Sequence, residues 1–417
     1  MQKIKVIIGA SYGDEGKGLA TDFCAAKEVG NGAGTAVTSA GYGFSGGANM
    51  VTVLTNGGPQ RGHTVELPDG RRHVFKHFGS ASFRGSETYF GRRFLVNPME
   101  FVREYGELEA LHAAPRAHCD PQCRFSTPYD MLMNRMLSEK SGNHNSCGFG
   151  IWETVLRYSK GWGLSFGSFC RMDYDDRRAY LVKLRDQYFG PRMKACGIAE
   201  TEFKDILEIF YSEGLLRHYL EDAELMQRLC PLAEEGILRA YGTVLFENGQ
   251  GLLLDGMRAG EEDFTTPSRT GAAGAVEIIE RTFSGADVEV LYVTRSYLTR
   301  HGDGQMENEI AEAEMSRFMP GIGRDATNAT NRFQGRLRYG RITETGGLAD
   351  RILKDFSECR STRGNLYRPS VMVTHMNESD DIETGQLGER VGRLYLSDGK
   401  TVSEVQTAFV KPWKTTA

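Results

Sequence analysis

The stretch Ile4-Lys-Val-Ile-Ile-Gly9-Ala-Ser-Tyr-Gly13-Asp14-Glu15-Gly16-Lys17-Gly18 decides the class of this chain. Its first six residues are a β-branched run closed by glycine, which predicts a buried strand. The glycine-punctuated loop that follows leads into Leu19 to Ala26, which reads as a helix. Strand, glycine loop and helix in that order open a nucleotide-binding α/β domain. Closely set glycines let backbone N–H groups approach a phosphate, and a helix N-terminus favours negative charge. Lys17 supplies a mobile cation there, and Asp14 is placed to hold Mg²⁺ or to take a proton. The spacing is not the common Walker A pattern, and a tight strand–helix turn would use the same residues.

Further runs extend the pattern. Residues 50–54, 243–247, 288–294 and 370–374 read as buried strands, and 98–113, 178–196 and 201–232 carry helical periodicity with abundant charge. Strands spaced by helices predict an α/β fold with a mostly parallel central sheet and flanking helices. The Gly-, Ala-, Ser- and Thr-rich segment 29–48 reads as a flexible insert. With no internal repeat and no clean linker, residues 1–417 read as one elaborated domain.

Composition narrows the function. The chain has 417 residues, 50 basic against 55 acidic, and a formal net charge of −5. A non-specific nucleic-acid binder would be basic, so that class loses weight, while small anionic ligands need only a local cluster of donors. No run approaches the ~18 apolar residues of a membrane span, and the first apolar run is too short for a signal peptide. The expectation is a cytoplasmic protein with no membrane and no nucleic-acid partner. Eight scattered cysteines fit reduced thiols. Cys119 and Cys123, with His118 beside them, lack further ligands at metal-site spacing and read as thiols in a loop.

Two more segments carry chemistry. Gly57-Gly58-Pro59-Gln60-Arg61-Gly62-His63-Thr64 sets a histidine in a glycine-rich loop, where it is hard to pack as core. Such a group acts as a general acid or meets developing charge near neutral pH, unless it is a solvated loop residue. Val244-Leu-Phe-Glu247-Asn-Gly-Gln250-Gly251-Leu-Leu-Leu254-Asp255 runs from a strand into a small-residue turn. The Gln250 amide can pair with a base edge or a phosphate, or simply face solvent.

Taken together, these segments resemble the adenylosuccinate synthetase family. Gly13 to Gly18 is that family's phosphate loop unchanged. Arg61-Gly62-His63-Thr64 stands where the family has Ala-Gly-His-Thr, and Leu245 to Gly251 matches its Leu-Phe-Glu-Gly-Ala-Gln-Gly with two small changes. Thr265-Thr-Pro-Ser-Arg-Thr-Gly-Ala-Ala-Gly274 and Thr299-Arg300-His-Gly-Asp-Gly304 resemble two later blocks. The resemblance implies a ligase that phosphorylates O6 of IMP, or a related 6-oxopurine nucleotide, and displaces the phosphate with L-aspartate. It implies catalysis by Asp14, His63 and Lys17. It implies Mg²⁺ on Asp14 and the Gly62 carbonyl. Nucleotide contacts are implied from Gly13, Glu15, Gly16, Gly18, Gly62, Thr64, Ser146, Gln250, Leu254 and Thr266. A homodimer sharing the active site is implied as well.

Departures concentrate in the C-terminal half. The family reads guanine with Thr-Lys-Leu-Asp, whereas this chain has Thr374-His375-Met376-Asn377. An asparagine amide does not complement guanine's paired donors, so ATP or dATP stands beside GTP as phosphoryl donor, unless Asp380 supplies the contact. The amino-acid loop, Ala329-Thr330-Asn331-Arg332-Phe333-Gln334-Gly335-Arg336-Leu337-Arg338, resembles the form in archaeal and phage-encoded relatives. Thr330, Arg332, Arg336 and Arg338 would bind the carboxylates, with Arg332 also reaching the nucleotide. Some phage relatives make 2-aminoadenylosuccinate from dGMP with a small residue at the loop aspartate; retention of Asp14 favours IMP. Gln60 and Arg61 replace the usual Asn-Ala, so the base pocket is altered. For the family's partner-subunit arginine the candidate is Arg157. The competing class is a phosphate-loop NTPase switch, which needs no second nucleotide site.

Overall fold

The computed structural model describes residues 2–31, 49–142, 146–199, 201–256, 265–318, 320–321, 335, 337–379 and 382–410. The insert read at 29–48 therefore lies outside the described residues from position 32 onward.

Nine strands form the central sheet: β1 (Lys3–Gly9), β2 (Met50–Leu54), β3 (Glu87–Phe90), β4 (Ala117–Cys119), β5 (Thr243–Gly251), β6 (Asp287–Arg295), β7 (Leu366–Thr374), β8 (Arg393–Ser397) and β9 (Val405–Val410). Their order is β9-β8-β7-β6-β1-β5-β2-β3-β4. Every pairing is parallel except β8 with β9. Helices cover a parallel sheet on both faces, which is why its strands are apolar on both sides. In β1 the residues alternate between two cores: Ile4, Val6 and Ile8 pack with Val244, Phe246 and Val290, while Ile7 packs with Leu245, Leu291 and Met372. The C-terminal ends of four strands then meet, with Gly9 opposite Gly251 and Arg295 opposite Thr374. Ligands of open α/β sheets bind outside such ends.

Helix α1 (Lys17–Asn31) starts earlier than its apolar pattern suggests, so Lys17 is its first residue. Asn97 caps the helix Pro98–Ala110 by accepting from the Met99 and Glu100 N–H groups. The region read as 178–196 is helical from Tyr174 to Ala195, with a π turn at Leu184–Phe189 just ahead of Pro191, which has no N–H to donate. The region read as 201–232 is two helices, Lys204–Phe210 and Glu213–Leu229. Ser212 separates them by accepting from Gly214 N. No helix among the described residues is long and apolar enough to cross a membrane.

A separate aromatic core lies beyond β3 and β4, with Phe78, Phe90, Phe94 and Phe101 around a neutral, buried His77. Cys119 and Cys123 are free thiols, as read, but both are buried within it, and Cys119 ends β4 instead of lying in a loop. Arg157 is also corrected. It is fully buried and locked to Asp130, with Nε 3.0 Å from Oδ1, while Nη2 donates to the Phe125 carbonyl at 2.8 Å. A side chain so held cannot reach a partner's active site. Removing one member of a buried pair strands the other charge at a cost of about 3–5 kcal/mol. Arg157→Met should therefore lower stability by that amount in denaturant unfolding, with part of the loss recovered on adding Asp130→Asn. A midpoint unmoved by Arg157→Met would show that the pair holds nothing together.

Candidate active site

The loop between β1 and α1 is built around Glu15. Its buried carboxylate accepts from the Ser11 N–H at 2.9 Å, the Gly13 N–H at 2.7 Å and the Lys17 ammonium at 3.0 Å. The Lys17 Nζ also donates to the Gly13 carbonyl at 2.6 Å. These bonds curl the backbone so that Gly13 and Gly16 take φ of 110° and 91°, where a side chain would be strained. A Cβ on Gly251 would come within 2.3 Å of the Ser11 carbonyl, so β5 can press on the loop only with glycine there.

Asp14 is turned outward. Its carbonyl accepts from Arg295 Nε at 2.5 Å, and its Oδ2 lies 3.7 Å from His301 Nε2. From the other side, Thr374 Oγ1 donates to the Glu15 carbonyl at 2.9 Å.

His63 is the first residue of a hairpin, His63–Glu66 with Arg72–Phe75. Gly18 brings it close: a Cβ there would sit 2.4 Å from the Thr64 carbonyl, so α1 lies directly against the hairpin. The sequence reading placed this histidine in a loop unsuited to packing. In the fold it is 4% exposed, with Nδ1 2.6 Å from Glu247 Oε1. Glu247 also holds the Arg61 guanidinium at 3.1 Å and the Ser80 N–H at 3.0 Å. Burial lowers the imidazole to about pKa 4, against the pull of Glu247. Burial alone would raise the Glu247 carboxyl, but Arg61, His63 and Ser80 outweigh it and hold it far below the usual range.

A cavity of about 580 Å³ opens over the strand ends, a size suited to small-molecule sites. It is lined by Gly13, Asp14, Gly16, Lys17, Gly18, Gly62, His63, Thr64, Ser146, Gln250, Leu254, Thr266, Thr374, His375 and Asn377, all anticipated from sequence. Gln250 and His375 sit at strand ends with φ of 65° and 59°, strain of the kind that collects at functional sites. Ser146 is fixed by donating to Asn134 Oδ1 at 2.6 Å.

Two anticipated contacts lie elsewhere. Glu15 faces into the loop and does not line the cavity. Arg338 pins the 302–304 turn through the Gly302 and Gly304 carbonyls and pairs with Glu309 at 2.7 Å. Thr330, Arg332, Arg336 and Asp380 are outside the described residues. Sequence reasoning gave no role to Glu247, Lys76, Arg295, Glu378, Gly399 or Lys400. Of these only Glu247 carried a signal, since a carboxylate ending a buried apolar strand requires a partner.

Fold and cavity define an α/β enzyme organised on a glycine–lysine loop at the strand ends. The family model described as adenylosuccinate synthetase matches residues 44–341. The adenylosuccinate synthetase of Thioalkalivibrio sulfidiphilus is 28% identical over 411 residues, covering 95% of this chain and 83% of the relative. That of Lactobacillus acidophilus is 26% identical over 325 residues, 75% of this chain and 66% of the relative. The fully ligated adenylosuccinate synthetase from Plasmodium falciparum shares the fold at TM-score 0.70 and 13% identity, over 97% of this chain and 99% of that one. Cyanophage S-2L succinoaminodeoxyadenylate synthetase, bound to dGMP and to dATP as energy donor, shares it at TM-score 0.59 and 14% identity, over 98% and 95%. The chain belongs to the adenylosuccinate synthetase family, and it is a ligase.

The His63 shift has a consequence for folding. Its ordinary value is 6.5 and its folded value about 4, so between these the unfolded chain binds a proton that the folded chain refuses. The associated stability is complete above pH 6.5 and drains away as pH falls toward 4. His63→Gln should flatten the pH dependence of the denaturant midpoint across that window. An equally steep profile in the variant would remove His63 as the cause.

Proposed function

We propose that this enzyme phosphorylates O6 of IMP with the γ-phosphoryl group of a nucleoside triphosphate, then lets L-aspartate displace the phosphate to give adenylosuccinate. The observation that carries this reading is that Asp14 and His63 line one cavity with the glycine loop and Gln250. An oxo group leaves an aromatic ring poorly. Asp14 takes the N1 proton, charge moves onto O6, and O6 attacks the γ-phosphorus as the diphosphate departs. The aspartate amine then attacks C6, and phosphate leaves with the original O6. Lys17 and the loop amides hold the phosphates. Bound phosphates would add to the pull of Glu247 and raise His63 from its lowered value, so that the imidazolium presents Nε2–H to the transferring group.

Mg²⁺ fits the donors available: the Asp14 carboxylate and the Gly62 carbonyl are hard oxygen ligands, and the ion commonly takes one or two carboxylates plus substrate phosphates. Bound there, it would neutralise charge on the donor phosphates. Ser146, Gln250, Leu254 and Thr266 would contact the acceptor nucleotide; Thr374, His375 and Asn377 would face the donor base. Thr330, Arg332 and Arg336 would receive the aspartate carboxylates, and the working unit would be a homodimer.

A second reading has a specific support. Asn377 lacks the paired acceptors that guanine needs, and the cyanophage protein of like fold binds dGMP and dATP. The alternative is therefore 2-aminoadenylosuccinate synthesis from dGMP with ATP or dATP. A matrix assay separates the two, crossing IMP, dIMP, GMP and dGMP with GTP, ATP and dATP, with products read by mass spectrometry. Diphosphate and phosphate release should require both acceptor and amino acid. Asp14→Ala and His63→Ala should each cut kcat by at least about 10²-fold. Hydrolysis without any acceptor, or full turnover in both variants, would point instead to a nucleotide switch.

A further inference from the structure

Lys76 directly follows the Arg72–Phe75 strand, and its partly buried side chain lines the cavity. The ammonium lies over the Phe149 ring, 5.5 Å from its centroid, and its charge reaches the Cys147 thiol. Among the described residues no carboxylate pairs with it. Phe149 and Cys147 belong to the turn Ser146–Gly150, which the helix Pro128–Ser141 fixes. There Asn134 accepts from the Ser146 hydroxyl at 2.6 Å, and Arg135 Nε donates to the Gly148 carbonyl at 3.3 Å.

A cation with no carboxylate partner among the described residues therefore lines the same cavity as an anchored hydroxyl, while the Lys17 ammonium there is taken up by Glu15 and Gly13. Burying part of a charge without a partner is costly, and an anionic ligand removes that cost. Arg157, the arginine that sequence offered for an anion, is spent on Asp130. We infer that Lys76 supplies, from within the same chain, the cation that holds the 5′-phosphate of the acceptor nucleotide next to Ser146. This rests on the proposed reading of the cavity as a purine nucleotide site.

The test is calorimetric titration of IMP and dGMP, and of inosine and deoxyguanosine, into wild type, Lys76→Met and Lys76→Arg. It needs no turnover. Wild type should prefer the monophosphate to its nucleoside. Lys76→Met should weaken monophosphate binding by roughly 10- to 100-fold, the range of one charge-assisted hydrogen bond, and leave nucleoside binding unchanged. Lys76→Arg should restore most of the affinity. In turnover, KM for the acceptor should rise in Lys76→Met while KM for the triphosphate stays put. Wild-type monophosphate affinity in Lys76→Met overturns the inference, as does a loss that falls equally on the nucleoside or on the triphosphate. If wild type itself binds no purine monophosphate, the acceptor reading falls first, and this inference with it.

Discussion

One carboxylate holds the centre of this molecule. Glu15 gathers two backbone N–H groups and an ammonium from a stretch of seven residues, Ser11 to Lys17. Satisfying a buried carboxylate this fully is what makes its burial tolerable. The consequences spread outward. Gly9 and Gly251 must be glycine, because a Cβ at either would strike the Glu15 side chain or the loop it holds. Asp14, next in the chain, is left to face the cavity, and Lys17 is fixed at the first turn of α1.

A second buried carboxylate, 232 positions further on, joins the hairpin to the sheet. Glu247 and Gln250 share β5, three residues apart. In regular alternation they would face opposite ways. The left-handed backbone at Gln250 breaks that alternation, and the β1–β5 register shifts between Ile7 and Gly9. One strand thereby anchors His63 from beneath and presents an amide to the cavity above. Arg61 completes the arrangement by pairing with Glu247, both side chains being buried.

The central strands were legible because parallel strands buried on both faces write themselves as β-branched runs. The outer strands β3, β4, β8 and β9 are short, carry polar residues, or lie at an edge, and periodicity does not mark them. The cavity residues were legible through blocks shared with the family. What escaped was everything set by contacts distant in sequence. His63 looks like a loop residue because its partner is 184 positions away. Arg157 looks available because Asp130 sits on another helix. Glu15 looks ligand-facing because a charge inside a glycine motif does not announce that its partners are the motif's own backbone. Lys76 belongs to no motif at all and is recognised only by what surrounds it.

All of this converges on the fate of a single oxygen. The most direct measurement uses acceptor nucleotide labelled with ¹⁸O at C6, turned over with the triphosphate and aspartate. Mass spectrometry of the released phosphate then reads where the label went. The expected result is one ¹⁸O in each phosphate released, carried there by the bond formed at O6. Unlabelled phosphate alongside full conversion to the C6-amino product would mean that the oxygen was never phosphorylated, and the roles assigned to Asp14 and His63 would be wrong.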